Sequence, residues 1–106
     1  MRVGAHHLNQ SGVAQGGALI ALADAVAGWA TYGLLDEGNL FTTLELKANL
    51  LRAARVGDEL LAIARPIHAG RTACVIDVEV AHRQEDGSAG KAVARFGCTQ
   101  LVMKER

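Results

Sequence analysis

At 106 residues the chain is long enough for one domain with a modest core. Half of it is hydrophobic, which excludes a disordered or collagen-like polymer. Eleven basic residues balance eleven acidic ones, so nothing in the charge suits a nucleic-acid backbone or an anionic membrane surface. That neutrality also leaves the chain weakly protected against self-association.

In chain order, Val3, Ala5 and Leu8 form the stub of an edge strand. Asn9-Gln10-Ser11-Gly12 is a turn cluster. Gly16-Gly17 then opens a helix whose runs, Ala18–Ala23 and Ala25–Ala30, are rich in strong helix formers and show no polar stripe. A helix apolar all round must be covered all round. Gly33 and Asp36-Glu37-Gly38-Asn39 end it. Four strand patterns follow. Within 42–51, Leu44, Leu46, Ala48 and Leu50 alternate with Thr43, Glu45, Lys47 and Asn49. Arg55-Val56-Gly57-Asp58 turns the chain into 59–68, where Pro66 indicates an edge or a bulge. Ala69-Gly70 leads into 71–83, with Cys74, Ile76, Val78 and Val80 on one face. Gln84-Glu85-Asp86-Gly87 turns into 90–102, with Ala92, Ala94, Phe96 and Cys98 on one face. The order predicts an α+β domain over 1–106: one long helix, then an antiparallel meander of four strands. One curled sheet wraps only one side of the helix, so a second copy of the chain is expected on the other.

MRVGAHHLNQ has no apolar signal core, and Asp24 interrupts the longest apolar run. A cytoplasmic location is expected, with no membrane-spanning segment. Cys74 and Cys98 lack metal-ligand spacing and read as reduced core residues, a cross-strand disulfide being the alternative. His6, His7, His68 and His82 show no metal spacing either, so no metal site is expected. Trp29 and Tyr32 read as core or pocket wall.

The stretch HHLNQSGVAQGGALIALAD resembles the central-helix motif of hotdog-fold acyl-CoA thioesterases of the phenylacetate-pathway type, in the 4-hydroxybenzoyl-CoA thioesterase superfamily. That group has an asparagine, a glycine turn, a His-Gly-Gly at the helix start and an acidic residue eight positions beyond the first glycine. Asn9, Gly16 and Asp24 keep those intervals of seven and eight. TTLELKANLLRAARVGDEL and AGRTACVIDVEV resemble the strands that follow. The resemblance covers residues 6–102 and implies a hotdog fold, an acyl-CoA substrate with no separate cofactor, and a homodimer that pairs into a homotetramer. Three departures stand out. Gln15 replaces the usual histidine, Ala53 stands where proline is frequent, and the N-terminus is shortened relative to the family pattern.

Thioester hydrolysis needs donors for the developing oxyanion and a base or nucleophile for the carbonyl carbon. Gly16 and Gly17 offer unpaired N–H groups at the positive end of a helix; the bland alternative is that they only permit tight packing. Asp24 is the one carboxylate on the apolar helix and therefore the candidate base or nucleophile; alternatively it meets a polar partner across a subunit boundary. Eight residues of helix span about 12 Å, and hydrogen-bond reach is about 3 Å. One thioester carbonyl cannot be held by both groups of one helix, so the site must be composite, with Gly16 from one chain and Asp24 from an antiparallel partner. The resemblance implies the same arrangement. Asn9 is a candidate for orienting water or the carbonyl, against an ordinary Asx turn. Thr43 is a candidate for holding the water, against an unremarkable strand threonine. Gln15 donates and accepts hydrogen bonds but carries no proton at neutral pH. Arg71, with Thr72, resembles a position that contacts the nucleotide of coenzyme A; Arg52, Arg55, Lys91 and Arg95 are further phosphate candidates. The competing readings are a non-catalytic hotdog module that binds acyl-CoA or only oligomerises, and, more remotely, a hydratase or a serine hydrolase. The first is motivated by Gln15 and the short N-terminus. A hydratase needs a histidine beside the carboxylate, and Ser11 is in no nucleophile elbow.

Overall fold

The structure, a computed structural model, describes residues 1–104; Glu105 and Arg106 of the expected domain lie outside the described residues. A single 3-10 turn (Ala5–His7) precedes helix α1 (Gly16–Tyr32) and strands β1 (Asn39–Leu50), β2 (Leu60–Ala69), β3 (Ala73–Arg83) and β4 (Ala89–Lys104). The strands form one antiparallel sheet, and the helix lies across it, mainly over β2 and β3. This is the expected helix-on-sheet, hotdog arrangement.

Two details differ from expectation. The sheet order is β1-β4-β3-β2, so only β2, β3 and β4 form a meander and β1 pairs with β4. The segment between β1 and β2 is too long for a tight hairpin. It crosses beneath the helix entrance instead, where buried Ala54 accepts the Ala14 N–H through its carbonyl at 2.7 Å. The expected N-terminal strand is also replaced by the 3-10 turn. His7 Nδ1 accepts the Gly4 N–H at 2.9 Å and closes the chain locally, leaving two isolated bridges, Arg2 with Glu59 and Leu8 with Ala14.

Pro66 obeys both of its expectations, since β2 is an edge strand and its register shifts between Pro66 and His68. A second irregularity falls between Thr43 and Glu45, where Leu44 bulges out of the β1 ladder. Leu44 is 60% exposed, so the alternation expected of 44, 46, 48 and 50 survives only at half-buried Leu46 and Ala48. Cys74 and Cys98 are both buried and free, as the core reading requires.

The core lies between one row of the helix and the inward rows of β3 and β4. Leu19, Ala23, Ala27 and Thr31, spaced by four, are buried against Ile76, Val78, Val80, Ala94, Phe96 and Cys98. The small Ala23 and Ala27 let the helix axis approach the sheet closely. The rest of the helix is not covered within one chain. Trp29 is 74% exposed and Tyr32 62%, so these aromatics are not core residues here. Tyr32 packs edge-on against Phe41 of β1, with ring centroids 5.1 Å apart. Among the described residues, no helix is long and apolar enough to cross a membrane.

Candidate functional site

Position along α1 decides which way Asp24 faces. Ile20, Asp24 and Gly28 form the row one residue round from the buried one. At Gly28 an added Cβ would stand 3.5 Å from the Phe41 ring. The Asp24 row therefore borders β1. Its carboxylate is exposed in the single chain, on the side of the helix that the sheet leaves to the expected second copy. The reason is arithmetic: one sheet face accommodates about one helical row, and Asp24 lies a hundred degrees away from it.

Beneath Asp24, three side chains of β1 and β4 meet. Burial pushes the Cys98 thiol above its ordinary pKa, the Asp24 charge pushes it further, and a hydrogen bond with the Thr43 hydroxyl opposes both. Asp24 and Thr43 thus flank the same thiol from two elements. Thr43 Oγ1 donates to Gln100 Oε1 at 2.7 Å, across the register pair Thr43↔Gln100. Gln100 is fully buried, and among the described residues its Nε2 finds no partner. Gln100 escaped the sequence reading, yet a signal existed. The period-two row Ala94, Phe96, Cys98 continues to position 100, so a carboxamide had to point inward.

The glycine pair lies at the far end of this flank. Gln15 is the N-cap in extended backbone, its side chain exposed and making no capping bond. Its own N–H donates to the His7 carbonyl at 2.8 Å, which aims the chain into the helix. Ala18 N–H returns to the Gln15 carbonyl at 3.0 Å, but among the described residues neither Gly16 nor Gly17 N–H has a backbone acceptor. A Cβ at position 16 would come within 2.8 Å of Leu50 Cδ1, the end of an exposed side chain that can swing aside. At Gly17 a Cβ would meet nothing within 4 Å, and the residue is exposed. The loop before it is held by Asn9, whose Oδ1 accepts from the Ser11 and Val13 N–H groups at 2.9 and 3.4 Å. That is the Asx-turn geometry, so within one chain the Asn9 carbonyl is already engaged.

Arg71 and Thr72 lie at the other end of the molecule, in the β2–β3 hairpin. Arg71 and Lys104 border a cavity of about 360 Å³ whose wall includes Leu34, Leu35, Asp36 and Cys74. Thr72 is anchored there, its carbonyl accepting the Val102 N–H at 2.9 Å. In a single chain this hairpin neighbours the C-terminal end of α1, and Gly16 opens the opposite end, about 25 Å away along the helix. Of the other basic candidates, Arg95 pairs with Asp77 at 3.0 Å and Arg52 donates to the Ala92 carbonyl at 2.8 Å.

This chain belongs to the thioesterase superfamily, whose family pattern matches residues 11–89. It is 33% identical over 95 residues to ComA2 of Bacillus subtilis, described as a candidate esterase, covering 89% of this chain and 71% of that one. Its structure is similar to that of smu.793 from Streptococcus mutans bound to acetyl CoA, with a TM-score of 0.85 and 31% identity, covering 100% and 79% of the two chains. It is equally similar to the E. coli PaaI protein from the phenylacetic acid degradation operon, with a TM-score of 0.85 and 28% identity over 99% and 70% of the chains. The likeness to PaaI bears out the phenylacetate-type resemblance.

Proposed function

We propose that this protein hydrolyses acyl-CoA thioesters, aryl or short- to medium-chain, at a site completed by a second copy of the chain. The observation that carries the reading is that the helix row holding Asp24 borders β1, the strand that holds Thr43, with glycine N–H groups two turns away that have no backbone acceptor among the described residues. Membership of a thioesterase family and the acetyl CoA bound to the Streptococcus mutans relative support the substrate class.

The thioester carbonyl oxygen accepts from the Gly16 N–H of one protomer, with Gly17 beside it, at the positive end of the helix dipole. Asp24 of the other protomer takes a proton from water, or attacks the carbonyl carbon itself. Thr43 orients the water, and Gln15 and Asn9 line the entrance. Arg71, Thr72 and the Lys104 cavity receive the nucleotide end of coenzyme A. The approximately 12 Å between Gly16 and Asp24 on one helix makes the pairing of copies a requirement of the chemistry. The long, unpaired β1 edge and the apolar helix face beside it give the partner somewhere to dock; two such dimers form a cytoplasmic tetramer.

Hydrolysis of a panel of aryl- and alkanoyl-CoAs tests the reading. Turnover is expected in the wild type and should drop about 10²–10⁴-fold in Asp24→Asn. Undiminished turnover in that variant removes Asp24 from the mechanism. Trapping of an Asp24 acyl anhydride by hydroxylamine during turnover identifies Asp24 as the nucleophile; no trapped adduct, with label from isotope-labelled water entering only the acid product, identifies it as the base. The second reading, a module that binds acyl-CoA without cleaving it, is favoured by Gln15, which cannot shuttle a proton. Saturable binding with no product from any thioester would establish it.

A further inference from the structure

Gln100 is an odd occupant of its position. The inward row of β4 is otherwise Ala94, Phe96 and Cys98, and Gln100 is as deeply buried as they are. Its Oε1 accepts the Thr43 hydroxyl proton at 2.7 Å, while its Nε2, a donor of two protons, is buried with no partner among the described residues. Burying an unsatisfied donor penalises folding, and an apolar side chain of the same length would fill the space without that penalty. The compensation must lie in what the oxygen does.

We propose that Gln100 is a positioning residue that fixes the polarity of the Thr43 hydroxyl, holding it as a pure hydrogen-bond acceptor toward the reacting water. The inference rests on the reading above, in which Thr43 orients that water. A hydroxyl has one proton and two acceptor lone pairs. With the proton directed inward to Gln100, Thr43 presents only lone pairs on its other side. The water then gives one hydrogen bond to Thr43 and the other to Asp24, and its own lone pair is left facing the carbonyl carbon. As the carbon–oxygen bond forms, Asp24 takes one proton and the carbonyl electron pair moves onto the oxygen held by the glycine N–H. Thr43 transfers no proton. Collapse of the intermediate expels the coenzyme A thiolate. Without Gln100 the hydroxyl rotates freely and donates to the water oxygen, tying up the lone pair that must attack. The helix row that holds Asp24 borders β1, the strand that holds Thr43, so both groups lie on the same flank of the molecule.

The test is Gln100→Met, measured for kcat, KM and Tm alongside Thr43→Val and the double variant. The proposal expects kcat to fall about tenfold or more with KM within about twofold, and Tm unchanged or raised by a few degrees, since the unpaired donor is gone. The double variant should be no slower than Thr43→Val alone. Wild-type kcat in Gln100→Met overturns the proposal. So do losses that multiply in the double variant, or a kcat that falls only in step with Tm, which is the mark of a structural role. Wild-type kcat in Thr43→Val overturns it as well. A wild type inactive toward every acyl-CoA defeats the parent hydrolase reading and this inference with it; an active wild type with an unaffected Gln100→Met defeats this inference alone.

Discussion

The two edges of the sheet solve the same problem in opposite ways. Both edge strands have a register shift, but β2 also presents Pro66, which has no N–H to offer a neighbour, and the ion pairs of Glu59 with Arg2 and Arg83 at its start, at 2.7 and 3.3 Å. Each discourages another strand from pairing. β1 is longer, contains no proline, and leaves Leu40 and Leu44 exposed along with Leu50 at its end. The Asp24 row of the helix borders β1. The defended edge therefore lies away from the candidate chemistry and the undefended one beside it. An edge left open in a neutral chain is an edge intended for a partner.

Charging β1 is the harshest way to break this comparison. The double substitution Leu40→Lys and Leu44→Lys should dissociate the assembly and reduce acyl-CoA turnover by about 10²-fold or more, because each half-site loses the oxyanion donor of its partner. Native mass and activity measured on the same sample check it. The matching change on the defended edge, Ile67→Lys, at a side chain 66% exposed, should leave both unaltered. If Ile67→Lys dissociates the protein and the β1 variant does not, the edges have been assigned the wrong way round.

A gentler probe sharpens the β1 side. The Asp24 charge contributes to the raised pKa of Cys98. In Asp24→Asn that contribution is removed, so the thiolate should appear at a lower pH than in the wild type, though burial keeps it above the ordinary value. Ultraviolet titration of thiolate absorbance in a Cys74→Ser background reports the shift, and an unchanged curve would mean that Asp24 does not lie over Cys98.

The smallest effect belongs to β2. Arg2, by hydrogen bond and charge, and then Arg83 hold Glu59 below its ordinary value of 4.5. A carboxylate with a depressed folded pKa stabilises the fold above its unfolded pKa, and that contribution is lost as pH falls through the folded value. Glu59→Gln should therefore lower Tm slightly at neutral pH and converge with the wild type once the pH is well below 4.5. The group is solvent-exposed, so the difference will be small and should shrink with added salt.

Much of the fold was legible because its signals are local. Alanine-rich 16–32 and Gly33 set the helix within a residue or two, and the alternation of Cys74, Ile76, Val78 and Val80 set the inward face of β3. Pro66 announced an edge and a bulge from its missing N–H alone. The candidate site was legible in part for the same reason: Asp24 is conspicuous as a lone acid on an apolar helix, and Gly16-Gly17 as a helix start. The pairing of β1 with β4 was not legible, because alternation specifies which way a strand faces but not which strand lies beside it. Gln100 was missed although the inward row Ala94, Phe96 and Cys98 runs on to it, because its role shows only once its partner Thr43 is seen across the ladder.

By itself, then, the sequence determined one helix, four strands, a neutral surface and a short roster of chemically expensive residues. All of these follow from the geometry of a few neighbouring residues and their affinity for water. Only the tertiary structure decided that Asp24 lies on the flank of the helix and not beneath it, that Thr43 and Gln100 meet across the ladder, that Arg71 and Gly16 occupy opposite ends of one chain, and that β1 and β2 are the two sheet edges. Those are relations between residues distant in sequence, fixed by how a single helical row fits a single sheet face. No local pattern carries that information.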